Sequence, residues 1–388
     1  MSWKEATKME LKEEFVMLAE QQNVNMSRLC RRFGISRPTG YKWLDRYRAE
    51  GLDGLVERSR RPHSSPNKTP EHIEELVEDA RDNDRGWGGR KLYHHLRRQA
   101  NTGELDVEAA QIPAPSTITA ILDRNGELEP KQASARQGPW QRFERPAPNA
   151  LWQMDFKGEF KLDTGDWCYP LTIVDDHSRF AVATRACSNQ RRGTVKGCLQ
   201  AVFGRYGLPK QILCDNGAPW GSPVRFPDGR PHYTKLAAWL MRLDIGVSYS
   251  RPGHPQSKGK NERFNGTLDG ELLRFERFAD QSEARDRMAD WRVRYNTVRP
   301  HEALDMAPPA SRYQPSPVEL PEQLPAVEYG PDDATRKVSA KGIISFRGQT
   351  FRVGKAFEGH RVAVRASANT NEHKIYFCNQ HIRTIILN

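Results

Sequence analysis

The chain of 388 residues has six cysteines, Cys30, Cys168, Cys187, Cys198, Cys214 and Cys378, and no C-x-x-C pair among them. That scatter indicates neither a disulfide framework nor a thiolate zinc site, so reduced thiols and no zinc are expected. No apolar run approaches the roughly 18 residues needed to span a bilayer. The N-terminal Met1-Ser-Trp-Lys-Glu5 is charged where a signal peptide would turn hydrophobic. No membrane partner is expected, and a soluble cytoplasmic protein is. Negative charge is in deficit, with 49 Asp+Glu against 60 Lys+Arg and a net charge of +11, which points toward polyanions. The excess concentrates in residues 331–388, which carry 10 basic and 4 acidic side chains.

The length exceeds one domain of roughly 100 to 200 residues, and the texture changes along the chain. Residues 1–62 read as a helix-turn-helix DNA-binding domain with three helices over about Leu11 to Arg48, the last two being Ser27 to Phe33 and Ser36 to Tyr47, separated by a short connection at Gly34. Ser36 is the expected N-cap of the last helix, and Tyr41, Leu44 and Tyr47 its core stripe. Its other face shows Arg37, Thr39, Lys42 and Arg46, which suit base edges and phosphates; a three-helix bundle with a solvated basic face is the alternative. Arg58, Arg60 and Arg61 follow in a Ser/Pro/Arg loop that also suits phosphates. Residues 63–126 read as a second helical DNA-binding module, with helices near His72 to Asp82, Gly89 to Arg98 and Ser116 to Asn125, the last capped by Ser116. Residues 127–148 have linker composition.

From 149 to 315 strands come first: Trp152 to Phe160, Cys168 to Asp175 and Phe180 to Arg185 as an antiparallel meander. A helix from Arg192 to Tyr206, a strand at Gln211 to Cys214, a helix from Arg230 to Leu243 and a strand at Gly246 to Tyr249 follow. Two long helices, Ser257 to Phe275 and Gln281 to Val298, complete a mixed sheet covered by helices. After a linker at 316–335, residues 336–388 read as short strands punctuated by glycines, closing as a small β-barrel. The expected class is multidomain α+β.

Three carboxylates stand in settings suited to two-metal phosphoryl transfer: Asp155 in Leu151-Trp-Gln-Met-Asp-Phe156, Asp215 in Ile212-Leu-Cys-Asp-Asn-Gly217, and Glu262 in Lys260-Asn-Glu-Arg-Phe264. Two Mg²⁺ ions about 4 Å apart activate one oxygen and stabilise another. Mg²⁺ prefers oxygen ligands and takes one or two protein carboxylates each, so three acids suffice without a His or Cys cage. A charge in the apolar stretch around Asp155 is costly unless it coordinates something. Asp-Asn-Gly at 215–217 is equally an ordinary turn, and Glu262 equally a solvated first-turn acid favoured by the helix dipole. Lys258, Lys260 and Arg263 flank Glu262. The pairs Asp163/Asp166 and Asp175/Asp176 read as turn formers.

Residues 149–313 resemble the catalytic core of retroviral integrases and of DDE insertion-sequence transposases. The resemblance rests on the three stretches above together with Val174-Asp-Asp-His-Ser-Arg179, Pro252-Gly-His-Pro-Gln-Ser257, Asn261-Glu-Arg-Phe-Asn-Gly266 and Tyr295-Asn-Thr-Val-Arg-Pro-His301, in the family's order. It implies an RNase H-like fold and places Asp155, Asp215 and Glu262 at the metal-binding positions, with two Mg²⁺ expected and Mn²⁺ able to substitute. It further implies terminal inverted repeats and target DNA as partners, a homo-oligomer of at least two subunits on paired ends, and a nucleoid-associated, bacterial-type setting. The basic C-terminal module, with Arg347 and Arg365, resembles a nonspecific DNA-binding domain.

Two departures stand out. Forty-six residues separate Asp215 from Glu262, more than many relatives have, and the excess is expected at Pro219 to Tyr233 as a surface insertion that leaves the core intact. The residue seven positions after the glutamate, basic in many relatives, is Asp269, so its phosphate contact is lost or supplied by Lys258, Lys260 or Arg274. A DNA-binding regulator with a non-catalytic core and a plain nuclease of the same fold remain as rivals.

Overall fold

The computed structural model describes residues 7–58, 68–128, 144–250, 259–367 and 371–387. Arg60, Arg61 and Lys258 lie outside them, as do the Pro252 to Ser257 motif and most of the expected linker at 127–148. Two compact units emerge, Met1–Lys68 and Thr69–Asn388.

In the first unit, α1 (Lys8–Ala19), α2 (Met26–Arg32) and α3 (Arg37–Glu50) lead into a 3₁₀ turn at Gly51–Leu55. Thr7 and Glu10 form a reciprocal capping box on α1, and Ser36 caps α3 by accepting from the Thr39 amide, as expected. The core gathers Phe15, Val16, Leu29, Cys30, Trp43, Leu44 and Leu55. The expected stripe on α3 needs correction: Tyr41 is 43% exposed, and Gly40 and Trp43 are buried instead. Gly40 is there because a Cβ would stand 2.5 Å from Cys30 Sγ and 2.8 Å from the Phe15 ring, so only glycine lets α3 approach α1 and α2.

The second unit opens with α4 (Glu71–Asn83), α5 (Gly89–Thr102) and α6 (Pro115–Arg124), which share an apolar core built on Val77, Trp87, Leu92, Leu96 and Ile118. Ser116 is not the cap of α6: Ala114 holds that position and Pro115 occupies the first turn, where its missing N–H costs nothing.

Strands β1 (Trp152–Phe156), β2 (Phe160–Lys161), β3 (Trp167–Asp175), β4 (Ala181–Cys187), β5 (Gln211–Cys214) and β6 (Gly246–Tyr249) form a mixed sheet, with α7 (Arg192–Tyr206) and α8 (Lys235–Arg242) between its later strands. β3 pairs antiparallel with β4 on one edge and with β1 and β2 on the other; β1 then pairs in parallel with β5, and β5 with β6. Alternation divides β1 between two layers. Trp152 and Met154 enter a core with Phe203 and Trp239 of α7 and α8, while Gln153 turns to the face covered by α9 (Gly259–Leu268). A π-turn at Asp269–Leu273 and α10 (Gln281–Thr297) complete that layer around Phe264, Met288, Trp291 and Tyr295. α8 starts later than expected, at Lys235, because Arg225 and Pro231 form a β-bridge and Thr234 caps the helix.

The C-terminal strands β7 (Ala334–Lys337), β10 (Arg361–Ala366), β11 (Glu372–Phe377) and β12 (Gln380–Ile386) form one antiparallel sheet, and β8 (Ile343–Phe346) and β9 (Gln349–Arg352) a separate ribbon. No ladder joins the two into a ring among the described residues. Val338, Phe357, Val362, Ile375 and Phe377 continue the apolar core of the central sheet. The Gln380 amide donates to the Val247 carbonyl (2.8 Å) and accepts from the Val247 amide (2.9 Å), taking the place of a further strand on the free edge of β6.

Candidate active site

Two of the three carboxylates stand near the ends of neighbouring strands. In the parallel pair β1 and β5, Gln153 lies opposite Leu213. Asp155 and Asp215 each follow two residues after that last recorded pair, toward the C-terminal ends of the strands, where open α/β sheets present their ligand sites. By alternation both belong to the face that α9 covers. Helix α9 is fixed there by its own polar residues: the Asn261 amide donates to Gln153 Oε1 (3.3 Å), and Thr172, the cross-strand partner of Asp155, donates to Asn265 Oδ1 (2.9 Å). Glu262 is exposed in the first turn of that helix.

Asp155 and Asp215 are half-buried. Asp215 Oδ1 accepts from the Gly217 amide (2.9 Å) and from the Trp220 indole N–H. Among the described residues, no three His, Cys, Asp or Glu side chains gather closely enough to hold a metal ion. The donor set is nonetheless that of a hard, oxygen-seeking cation, and the backbone delivers two carboxylates to adjacent strand ends with the third on the helix above them. In donor chemistry and backbone placement the residues fit Mg²⁺.

On the same sheet, against the start of α9, lies a second acidic group that sequence reading assigned to a turn. The turn is present, with the Ser178 amide and hydroxyl both donating to Asp175 Oδ1 (2.8 and 2.6 Å), but Asp175 and Asp176 are fully buried. Asp175 also accepts from the Asn149 amide at 2.7 Å, and burial pushes its carboxyl up against the pull of these bonds. Asp176 accepts from the Arg145 amide (2.8 Å), from Gln153 Nε2 (2.9 Å) and from Lys260 Nζ (2.6 Å), joining the approach to the sheet, β1 and α9. Burial lowers the Lys260 ammonium pKa, which its bond to Asp176 opposes. Lys260, expected to meet phosphate, is therefore held inward. Asp163 and Asp166 do lie in an exposed turn, around Gly165.

The other expected contacts divide similarly. Arg37 and Lys42 are exposed on α3, Thr39 bonds to the cap Ser36, and Lys42 and Arg46 lie over the Trp43 ring at 4.9 and 5.2 Å. Arg58 is paired with Glu50. Arg263 and Arg274 are exposed. Asp269, in place of a basic residue, pairs with Lys157 from the β1–β2 connection. In the C-terminal sheet Arg365 makes two 2.7 Å bonds to Asp333, whereas Arg347 projects from the β8–β9 turn beside Phe346.

The expected surface insertion is corrected in part: residues 223, 224 and 227–229 are exposed, but its aromatic residues are not. Trp220, Phe226 and Tyr233 are 2%, 5% and 8% exposed. Trp220 stacks on Phe156 with ring centroids 5.1 Å apart and reaches Asp215. A Trp within a Gly/Pro-rich stretch was the available signal for burial, but its partners lie far off in sequence.

Two family models described as integrase core domain match residues 145–255 and 243–309. One described as the leucine-zipper of insertion element IS481 matches 7–82, and one described as the C-terminal domain of IS481 family transposase matches 333–388. By these matches the chain resembles insertion-sequence transposases with an integrase-type core. Within that class, both its ends match IS481.

An uncharacterized 39.2 kDa protein of insertion element IS476 from Xanthomonas euvesicatoria is 32% identical over 165 residues, 42% of this chain and 44% of that protein, so the match spans less than half of the relative. An uncharacterized 31.7 kDa protein of insertion element IS407 from Burkholderia multivorans is 25% identical over 296 residues, 76% of this chain and 92% of the relative. Among solved structures, the HTLV-2 integrase catalytic core domain in complex with magnesium, in its trimeric form, is 17% identical, covers 44% of this chain and 99% of its own, and has a TM-score of 0.33. The simian T-cell lymphotropic virus intasome in complex with a PP2A regulatory subunit is 16% identical, covers 75% and 99%, and has a TM-score of 0.37. Among the described residues no helix is long and apolar enough to cross a membrane.

Proposed function

We propose that the chain binds the terminal inverted repeats of its insertion sequence, cleaves there to expose 3′-hydroxyl ends, and joins those ends to target DNA. The observation that supports this reading is the β1–β5 register, in which Gln153 lies opposite Leu213 two residues before Asp155 and Asp215, with Glu262 in the first turn of the helix that covers this face. These three carboxylates would hold Mg²⁺, or Mn²⁺ in its place, and the metal supplies activation of the attacking oxygen and charge neutralisation at the leaving one. The protein's own part is positioning: the sheet fixes two carboxylates, and Asn261 and Asn265 fix the helix that offers the third. Arg37, Lys42 and Arg46 on α3, with Arg58, Arg60 and Arg61 after it, contact the ends. Arg263 and Arg347 contact backbone phosphate. Two ends held together require at least two subunits.

The test is strand transfer by the purified protein on labelled element ends, with Mg²⁺ or EDTA. Joined product that disappears with EDTA and in Asp155→Ala supports the reading. End binding with no cleavage or joining, in Mg²⁺ and in Mn²⁺ and on paired ends, transfers the assignment to a DNA-binding regulator.

A further inference from the structure

The segment from Pro219 to Tyr233 touches the candidate site at one end and the C-terminal sheet at the other. At the site end, the Trp220 indole N–H donates to Asp215 Oδ1 while its ring stacks on Phe156, the neighbour of Asp155. The Trp220 carbonyl is held by two hydroxyls, Thr234 Oγ1 at 3.0 Å and Tyr249 Oη at 2.9 Å. Gly221 allows the tight passage: a Cβ there would lie 2.8 Å from the Tyr249 ring and 2.9 Å from the Asp215 carbonyl. Asn216, next to Asp215, is bonded to Arg225 of the same segment. At the far end, Arg230 donates to the His381 carbonyl (3.0 Å), Asp228 accepts from the Thr384 amide, and the Arg383 guanidinium lies 4.8 Å from the centre of the Phe226 ring. His381, Arg383 and Thr384 all belong to β12.

We propose that this segment is a strut through which the C-terminal sheet holds the Asp215 carboxylate in place for the divalent cation, with Trp220 as the positioning residue. The proposal rests on the assignment of Asp215 to the metal site. The indole N–H and the Gly217 amide both donate to Oδ1, so Oδ2 is the oxygen that the strut assigns to the cation. Nothing in the stretch needs to contact DNA or metal itself: it acts through Asp215. The extra chain length between Asp215 and Glu262 thereby has a physical use, which is to connect a carboxylate at the end of β5 to β12, whose Thr384 lies 156 residues beyond Asp228.

The test is Mn²⁺ binding by electron paramagnetic resonance, with melting temperature and end-DNA binding measured alongside, on full-length wild type, Trp220→Phe, Asp228→Ala and Asp215→Asn. Trp220→Phe keeps an aromatic ring on Phe156 and removes the donor. It should weaken Mn²⁺ binding about tenfold, as loss of a hydrogen bond to a charged group does, with end binding unchanged. Asp228→Ala, remote from the site, should weaken Mn²⁺ binding by about two- to threefold in the same direction, and decides the matter if Trp220→Phe does not fold. Mn²⁺ binding that Asp215→Asn reduces but that Trp220→Phe and Asp228→Ala leave within twofold of wild type overturns the strut alone. Mn²⁺ binding indifferent to Asp215→Asn overturns the site assignment and the strut with it.

Discussion

Two acidic groups stand on the same part of one sheet and are treated in opposite ways. Asp175 and Asp176 are fully buried, and the bonds to Asn149, Ser178, Arg145, Gln153 and Lys260 commit their oxygens to the protein itself. Asp155 and Asp215 are half-buried near strand ends, and Glu262 is exposed at a helix start. The same chemical group therefore serves architecture where burial and several donors enclose it, and stays partly exposed at the strand ends and helix start. Gln153 and Asp155, two residues apart on one strand face, mark the border between the two settings.

That contrast is broken most directly by exchanging the expected consequences. Glu262→Gln should lower strand transfer by about a thousandfold, since a metal-held transition state loses several kcal/mol. Because Glu262 is exposed, the melting temperature should hardly move. A large loss of stability in calorimetry would place Glu262 with the architectural acids.

Lys260→Ala should do the reverse. It leaves the buried Asp176 carboxylate without its cation and should destabilise the fold by about 3 kcal/mol in urea unfolding. Lys260→Met together with Asp176→Asn should recover part of that loss, which a lysine needed only for phosphate would not show. Stability unchanged in Lys260→Ala, with DNA binding weakened, would restore the phosphate role.

Acid sharpens the comparison from another side. Burial, with Arg299, Arg179, Lys91 and Arg263 nearby, pushes His301 down to about 3. Its folded pKa thus lies below the ordinary value of about 6.5, so the folded state prefers the neutral ring. The stability this ring supports is complete above pH about 6.5 and is lost as pH falls toward 3. His301→Gln should flatten the fall of melting temperature across that window, and an unaltered slope would show that other groups govern it.

The smallest effects concern DNA-contact arginines. Arg347→Ala should weaken binding to all DNA modestly and reduce the salt dependence by about one counterion. Arg365→Ala should do less, because its guanidinium is already bonded to Asp333. Equal losses, or a larger one for Arg365→Ala, in salt titrations would reject that ranking.

Local pattern made much of this molecule legible. The chain 211–214 is an apolar run and folds as β5, the chain 192–206 repeats at helical spacing and folds as α7, and Ser36 caps α3 because an N-cap needs only a hydroxyl and the amide three residues on. The motifs that resemble integrase cores named three carboxylates, two of them just past the paired stretch of β1 and β5 and one in the first turn of α9. What stayed hidden depends on partners distant in sequence. Asp176 reads as a turn residue until Lys260 arrives from 84 residues away, Tyr41 reads as core until the close approach at Gly40 turns α3, and Pro219 to Tyr233 reads as surface until β12 packs against it. Sequence alone determined most element types, the cap of α3 and the candidate donors, because each is set by backbone sterics and hydrophobic period over a few residues. Only the tertiary structure decided which charges are enclosed and which are open, because desolvation is a property of everything that surrounds a side chain and not of its neighbours in the chain.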